Sequence, residues 1–185
     1  MRVIAGKYKG RKLETVPDNS VRPATDKVKG AIFNVLQSRV NWTSAKVLDL
    51  YAGSGSVGIE ALSRGAKNCI FVEKSRNAHA FLKSNIESIG AGTESNVVYG
   101  DAEAFVESTR TKFTVVFADP PYALEALKNI PNKIFEKDIV AEDGYLIIEH
   151  PARYDFARNG LWEVVVQKVY GNTCVSFFQH TKSVQ

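Results

Sequence analysis

Asp119-Pro120-Pro121-Tyr122 concentrates more chemistry than any other four residues of this 185-residue chain. Two consecutive prolines fix φ, press the residue before each toward extended geometry and remove two backbone donors. The result is a rigid corner rich in acceptors: the Asp119 carboxylate and the carbonyls of Asp119 and Pro120. Tyr122 adds a flat face on which a base could stack. Such a corner suits an exocyclic amino group, whose hydrogens can be bound while its nitrogen lone pair is aimed at an electrophile. Asp119 can do this as a base or purely as a hydrogen-bond acceptor, and both roles stay open.

A second constellation lies upstream in "DLYAGSGSVGIEAL", residues 49–62. Gly53, Gly55 and Gly58 have the G-x-G-x-x-G spacing of a nucleotide-binding turn, which is a weak signal alone and a stronger one here because it follows a strand pattern and opens a helix pattern. Asp49, four residues before the first glycine, separates two cofactor classes. A dinucleotide sets a pyrophosphate against this turn, where a carboxylate would repel it. S-adenosylmethionine has no phosphate and carries cationic sulfonium and amino groups, which an acidic strand end attracts. Glu73, at the end of "NCIFVE", can accept from ribose hydroxyls with either cofactor. Asp101, after "NVVYG", can take an adenine amino group, cap the helix pattern "AEAFVES", or do both. The loop residues Tyr51 and Ser54, together with Lys74 and Ala102, complete the expected cofactor-binding set.

Positioning these groups requires a parallel α/β sheet. From residue 46 on, apolar strand-like runs at 46–51, 68–73, 96–100, 113–119 and 145–150 alternate with helical periodicity. The runs are continuously apolar, so helices must cover both sheet faces, with right-handed crossovers. In the helix of "SRNAHAFLKSNIESIG" the spacing predicts Phe81, Leu82, Ile86 and Ile89 on the buried face, Ser75 as N-cap and Gly90 as the stop. Gly171-Asn172 between "LWEVVVQKVY" and "TCVSFFQH" predicts a closing antiparallel hairpin. "RVIAGKYKGRKLETV" predicts a small basic hairpin, and a Pro-punctuated loop leads from it into a helix from Thr25 or Asp26 to Gln37, with Val28, Ile32, Val35 and Leu36 on one face. We therefore expect one domain over 1–185: a hairpin and loop extension at 1–24 and a Rossmann-like core at 25–185.

Composition narrows the setting. No apolar run reaches the roughly 20 residues of a membrane span, and the N-terminus lacks a signal-peptide core, which points to the cytoplasm. Cys69 and Cys174 sit alone in apolar runs as buried thiols, and His79, His150 and His180 are isolated, so no metal site is expected. Residues 1–29 hold eight basic side chains (Arg2, Lys7, Lys9, Arg11, Lys12, Arg22, Lys27, Lys29) against Glu14, Asp18 and Asp26. That gives 8 − 3 = +5 of a net +4 for the whole chain. Such an arm is suited to a polyanion, or is only a solvated hairpin.

Taken together, "DLYAGSGSVGIEALSRGA", "ADPPY", "RVIAGKYKGRKL", "RPATDKVKGAIFN" and "YGNTCVSFF" closely resemble the bacterial methyltransferases that modify guanine N2 in 16S ribosomal RNA, over nearly the whole chain. Asp-Pro-Pro-Tyr alone is shared by many amino-methylating enzymes; the basic hairpin with "RPATDKV" is the narrower signature. Ala24 departs from the family, which often has threonine or a similar polar residue there. The resemblance implies a class I methyltransferase fold with a mostly parallel seven-stranded sheet. It implies S-adenosylmethionine held by Asp49, Gly53, Gly55, Glu73 and Asp101, and the target guanine held by Asp119, Pro120 and Tyr122. It also implies 16S rRNA, in an assembled or assembling small subunit, as partner. Arg2, Lys7, Lys9, Arg11, Lys12, Arg22, Lys27 and Lys29 would then meet RNA phosphates. On this division, removing residues 1–15 would weaken RNA binding and leave cofactor affinity largely intact. Three rivals stand beside it: a DNA adenine-N6 or other amino-group methyltransferase, a non-catalytic RNA-binding module of ribosome assembly, and an NAD-dependent oxidoreductase that would leave the Asp-Pro-Pro-Tyr corner unused.

Overall fold

A computed structural model describes residues 1–15, 26–121 and 125–182. In chain order the elements are α1 (Asp26–Leu36), β1 (Lys46–Leu50), α2 (Ser56–Ser63), β2 (Asn68–Glu73), α3 (Arg76–Ile89), β3 (Ser95–Tyr99) and α4 (Ala102–Ser108). They continue with β4 (Phe113–Ala118), α5 (Ile130–Glu136), β5 (Val140–Pro151), β6 (Trp162–Tyr170) and β7 (Thr173–His180). The seven strands form one sheet in the order β3-β2-β1-β4-β5-β7-β6. β1 to β5 run parallel, and β7 pairs antiparallel with both β5 and β6. This is the mostly parallel α/β sheet with a closing hairpin that the periodicity predicts.

Both sheet faces are buried, as continuously apolar strands require. On one face Val47, Phe71, Val115, Phe117 and Ile147 pack against α1, α2 and α3 through Ile32, Phe33, Ile59, Leu62, Leu82 and Ile86. On the other Leu48, Leu50, Val72, Val116 and Ile148 pack against α4 and α5 through Ala102, Val106, Ile130 and Ile134. Ser75 caps α3 by accepting from the Ala78 N–H, and Gly90 ends it at φ 73°. Phe81 is only half-buried, however, and Asn85 takes its expected place on the buried face. β5 begins five residues earlier than the apolar run suggests, because the polar pair Glu142-Asp143 hides its start and the β4–β5 register shifts between Phe113 and Val115.

The N-terminal hairpin closes on a single bridge, Arg2 to Lys12. It is bolted to α2: the Ile4 and Ala5 N–H groups donate to the Glu60 carboxylate at 2.7 and 3.1 Å, and the Tyr8 N–H donates to Ser63 Oγ at 2.9 Å. A side chain at Gly6 would place its Cβ 1.8 Å from the Ser63 carbonyl oxygen, so only glycine admits this approach. Lys29 lies beneath the hairpin, wholly buried, donating from Nζ to the Arg2 carbonyl and to Ser56 Oγ, with Glu60 at 3.8 Å. Burial lowers its pKa, with Glu60 and Asp26 opposing the shift. Lys29 is therefore no phosphate contact; its place in an otherwise apolar helix stripe is that of an internal tie. Removing residues 1–15 would strip Glu60 and Lys29 of their backbone partners, so the arm is tied to the helix that follows the glycine turn and its removal also burdens the fold.

Candidate active site

The carboxyl ends of β1, β2, β4 and β5 bring four acids together. Strand register sets Asp49 beside Phe71 on one side and Phe117 on the other, with Phe117 in turn beside Ile147. Two residues further along their strands, on the same face by the period of two, come Glu73, Asp119 and Glu149. This is the end of a doubly wound sheet where ligands sit. A cavity of about 260 Å³ between Lys46, Asn68, Ser95 and Thr111 opens at the opposite ends of the strands, away from these groups.

The glycine turn is built on that row. Tyr51, Gly53 and Gly55 all have positive φ (60°, 56° and 81°), so the chain folds back sharply after β1 and enters α2. Tyr51 thus carries a left-handed backbone despite its bulk, and its ring packs against the α4–α5 side. Burial, then Glu103, then Asp101 push its hydroxyl up to about 12. Glu73 braces the turn, accepting from the Gly53 N–H at 2.8 Å and the Ser75 N–H at 2.6 Å. Asp49 accepts from the Gly58 N–H at 2.9 Å. A Cβ at Gly58 would lie 2.3 Å from Phe71 Cε1 and 2.9 Å from Asp49 Oδ2, which explains the third glycine by packing alone. Asp101 does cap α4, accepting from the Glu103 and Ala104 N–H groups, and its other oxygen lies 3.6 Å from Lys74 Nζ. Those backbone bonds hold its pKa below the usual range. Ala102, the first residue of α4, is buried directly behind it.

The electrostatics decide what this end of the sheet can hold. Burial, then the charge of Glu73, raise Asp49 to about 7 against the Gly58 hydrogen bond. Burial, then Glu149, then Asp49 push Asp119 well above the ordinary aspartate range. Acids raise one another only where no cation neutralises them. Among the described residues no ion pair reaches Asp49 or Asp119. A ligand with positive centres is what the row lacks, and a pyrophosphate is what it would expel.

Comparison with known proteins bears on the same point. The family described as "Conserved hypothetical protein 95" matches residues 1–179. The Ribosomal RNA small subunit methyltransferase D of Escherichia coli is 31% identical over 97% of this chain and 89% of its own length. The chain belongs to the small-subunit rRNA methyltransferase D family. "Putative rRNA methyltransferase YlbH" of Bacillus subtilis is 38% identical over 97% of this chain and 98% of its own. The solved structure of "Putative methyltransferase yhhF" from Escherichia coli superposes with a TM-score of 0.85 at 30% identity, covering 99% of both chains.

In this methyltransferase, S-adenosylmethionine is the cofactor, and the residues present fit it. The acid row matches its charge, the space above Gly53 is open, and Glu73 is fixed with lone pairs to spare beyond its two backbone bonds. Asp49, Tyr51, Gly53, Ser54, Gly55, Glu73, Lys74, Asp101 and Ala102 all lie at the carboxyl ends of β1, β2 and β3 or in the turns that follow them. Asp119 and the buried Pro120 end β4 beside them. Tyr122 and Arg22 lie outside the described residues. Of the hairpin cations, Arg2 pairs with Asp26 at 3.4 Å, Lys7 with Glu94 at 2.5 Å, and Arg11 donates to the Ser88 carbonyl at 2.8 Å. Lys9, Lys12 and Lys27 are exposed and make no ion pair among the described residues.

Sequence reasoning missed Asn85 and Glu149. Asn85 is buried, donates to the carbonyls of Ser54 and Glu14 at 2.9 Å, and accepts from the Glu14 N–H, so it ties the glycine turn to the exit of the hairpin. The signal was an amide inside the apolar stripe Leu82–Ile86–Ile89. Glu149 was hidden because "YLIIEH" reads as a strand end, and nothing in one strand says what stands beside it.

Proposed function

We propose that this protein transfers a methyl group from S-adenosylmethionine to the exocyclic N2 of a guanine in 16S rRNA, within an assembled or assembling small ribosomal subunit. The observation that carries the reading is the acid-rich corner at Asp119, which no donor reaches among the described residues, set beside a glycine turn on a chain of this family. Relatives named as small-subunit rRNA methyltransferases support an rRNA target.

The cofactor supplies an electrophilic methyl group; the protein's part is position and charge. Asp49, Glu73 and Asp101 orient the donor. Asp119 and the Pro120 carbonyl accept the amino hydrogens of the base, leaving the nitrogen lone pair directed at the donor, and Tyr122 stacks on the ring. As the N2–methyl bond formed, the sulfur–methyl bond would break to release S-adenosylhomocysteine, and the surplus N2 proton would pass to Asp119 or to water. A paired guanine cannot present N2 to such a pocket, so the base enters single-stranded or flipped. The hairpin supplies salt-sensitive, sequence-independent contact with phosphates through Lys9 and Lys12 first, and through Lys27 and Arg22.

Nucleoside mass spectrometry of 16S rRNA from a strain lacking the protein tests this. Loss of one N2-methylguanosine, restored by the wild-type chain and not by Asp119→Ala, is expected. Loss of a methylated adenine, or an unchanged nucleoside profile, overturns it.

A further inference from the structure

The β4–β5 ladder brings Glu149 to the Asp119 side of the site. In that ladder Phe117 faces Ile147 and Ala118 faces Ile148, so the next step along both strands sets Asp119 beside Glu149. Phe117 and Ile147 belong to the same packed face, and the period of two carries both acids onto it. Neighbouring strands stand about 4.8 Å apart, within reach of one small flat ligand edge. On its other side Glu149 pairs with Val175, which adds no charge. Resting on the reading of a guanine target, we propose that Glu149 is the second carboxyl of the base-binding subsite. It selects a base whose amino group stands beside a ring N–H.

The selection follows from which atoms adjoin the reacting amine. Guanine presents N2–H and N1–H side by side, two donors for two acceptors. Adenine and cytosine each present an amine beside a bare ring nitrogen, and a carboxylate facing that lone pair is left unpaired and repelled in a partly buried site. One acid at Asp119 recognises any exocyclic amine; two acids in register recognise the guanine edge. After burial, the charge of Glu149 is the next largest cause of the raised pKa of Asp119, as two acids side by side require. Base selectivity then needs no separate recognition domain.

2-Aminopurine separates the two acids, because it keeps the N2 amine and has a bare N1. Methyl transfer is measured to small-subunit RNA carrying guanine or 2-aminopurine at the methylated position. Wild-type protein should prefer guanine by roughly a hundredfold or more, the discrimination typical of a site whose polar groups are left unpaired by the wrong ligand. Glu149→Gln, whose amide can donate to a bare N1, should narrow that ratio at least tenfold, while S-adenosylhomocysteine affinity stays within about twofold as the measure of folding. Should the glutamine variant not fold, Glu149→Ala is read in the same way, since it removes both the acceptor for N1–H and the repulsion of N1. An unchanged ratio in a folded variant, with both substrates slowed in proportion, sinks the role of Glu149 alone. Failure of the wild-type protein to methylate guanine N2 sinks this proposal and the proposed function together.

Discussion

Asp49, near the end of β1, and Asp119, just past the end of the adjoining β4, share one face of the sheet, and both are held above the ordinary aspartate range chiefly by burial. Their bonding differs. Asp49 accepts from the Gly58 N–H and so fixes the first turn of α2 over the sheet. Asp119 accepts from no donor among the described residues and follows into a proline pair that offers it none. One acid is tied into the scaffold at the glycine turn; the other has no donor among the described residues. Charge that the structure itself satisfies builds the turn, and charge left without a donor among the described residues is free to answer a ligand.

Removing each acid in turn breaks that comparison most directly. Asp119→Ala should lower methyl transfer roughly a hundred- to a thousandfold, as loss of one preorganised polar partner does. Cofactor affinity and melting temperature should hardly change. A comparable fall in S-adenosylhomocysteine binding by calorimetry would show that the two acids are not divided as described. Asp49→Asn keeps an acceptor for Gly58 and removes the charge, so it should weaken cofactor binding by about 1.5–3 kcal/mol while the fold survives. Unaltered affinity would show that Asp49 serves the turn alone.

The raised pKa of Asp49 sharpens the same contrast. With a value of about 7 in the free protein, Asp49 is protonated below that pH, and a cationic cofactor must displace the proton to bind. Affinity should therefore be flat above pH 7 and fall roughly tenfold per unit below it, and Asp49→Asn should abolish the dependence. The sign for folding is the reverse. A carboxyl whose folded pKa is raised favours the free fold at low pH, and that contribution is lost as pH rises from the ordinary aspartate range through 7. The melting-temperature gain from cofactor should thus be larger at pH 8 than at pH 6.

Gly58→Ala acts on the scaffold first. Its Cβ would stand 2.3 Å from Phe71 and 2.8 Å from Cys69 Sγ, both in packed core, for a cost of about 1–3 kcal/mol. A melting temperature lowered by roughly 2–10 °C is expected, visible in a thermal scan; no change would mean the α2–β2 contact yields easily.

Much of this was legible in the sequence because it depends on local pattern. Continuous apolar runs announced the parallel strands, Ser75 and Gly90 the ends of α3, and Gly171-Asn172 the last hairpin. Asp49 and Asp119 showed themselves by standing next to glycines and prolines that serve no ordinary strand. What stayed hidden depends on contacts between distant segments. Lys29 and Glu60 are 31 positions apart and meet because α1 and α2 pack side by side beneath the hairpin, so a cation in a basic stretch is interior and not surface. Glu149 acquires meaning only from the β4–β5 register, and no single strand carries register. Tyr51 takes a left-handed backbone that its own type opposes, imposed by the turn that follows.

The smallest effects should come from the region farthest in character from the acid row. Lys9 and Lys12 protrude from the hairpin without an ion pair among the described residues, whereas Lys7 is engaged by Glu94 and Arg11 by the Ser88 carbonyl. A lysine already neutralised within the protein releases fewer counterions when a phosphate arrives, so the free pair should dominate RNA contact. Lys9→Ala and Lys12→Ala should each weaken small-subunit RNA binding a few-fold and flatten the slope of log affinity against log salt by about 0.7–0.9. Lys7→Ala should do less, and none of the three should alter cofactor affinity, since the hairpin's ties to α2 run through backbone N–H groups and Lys29. A salt slope that changes equally for Lys7, Lys9 and Lys12 would mean that RNA strips Glu94 from Lys7. The hairpin would then rearrange on binding, and its bolts to α2 would become a route by which RNA reaches the cofactor turn.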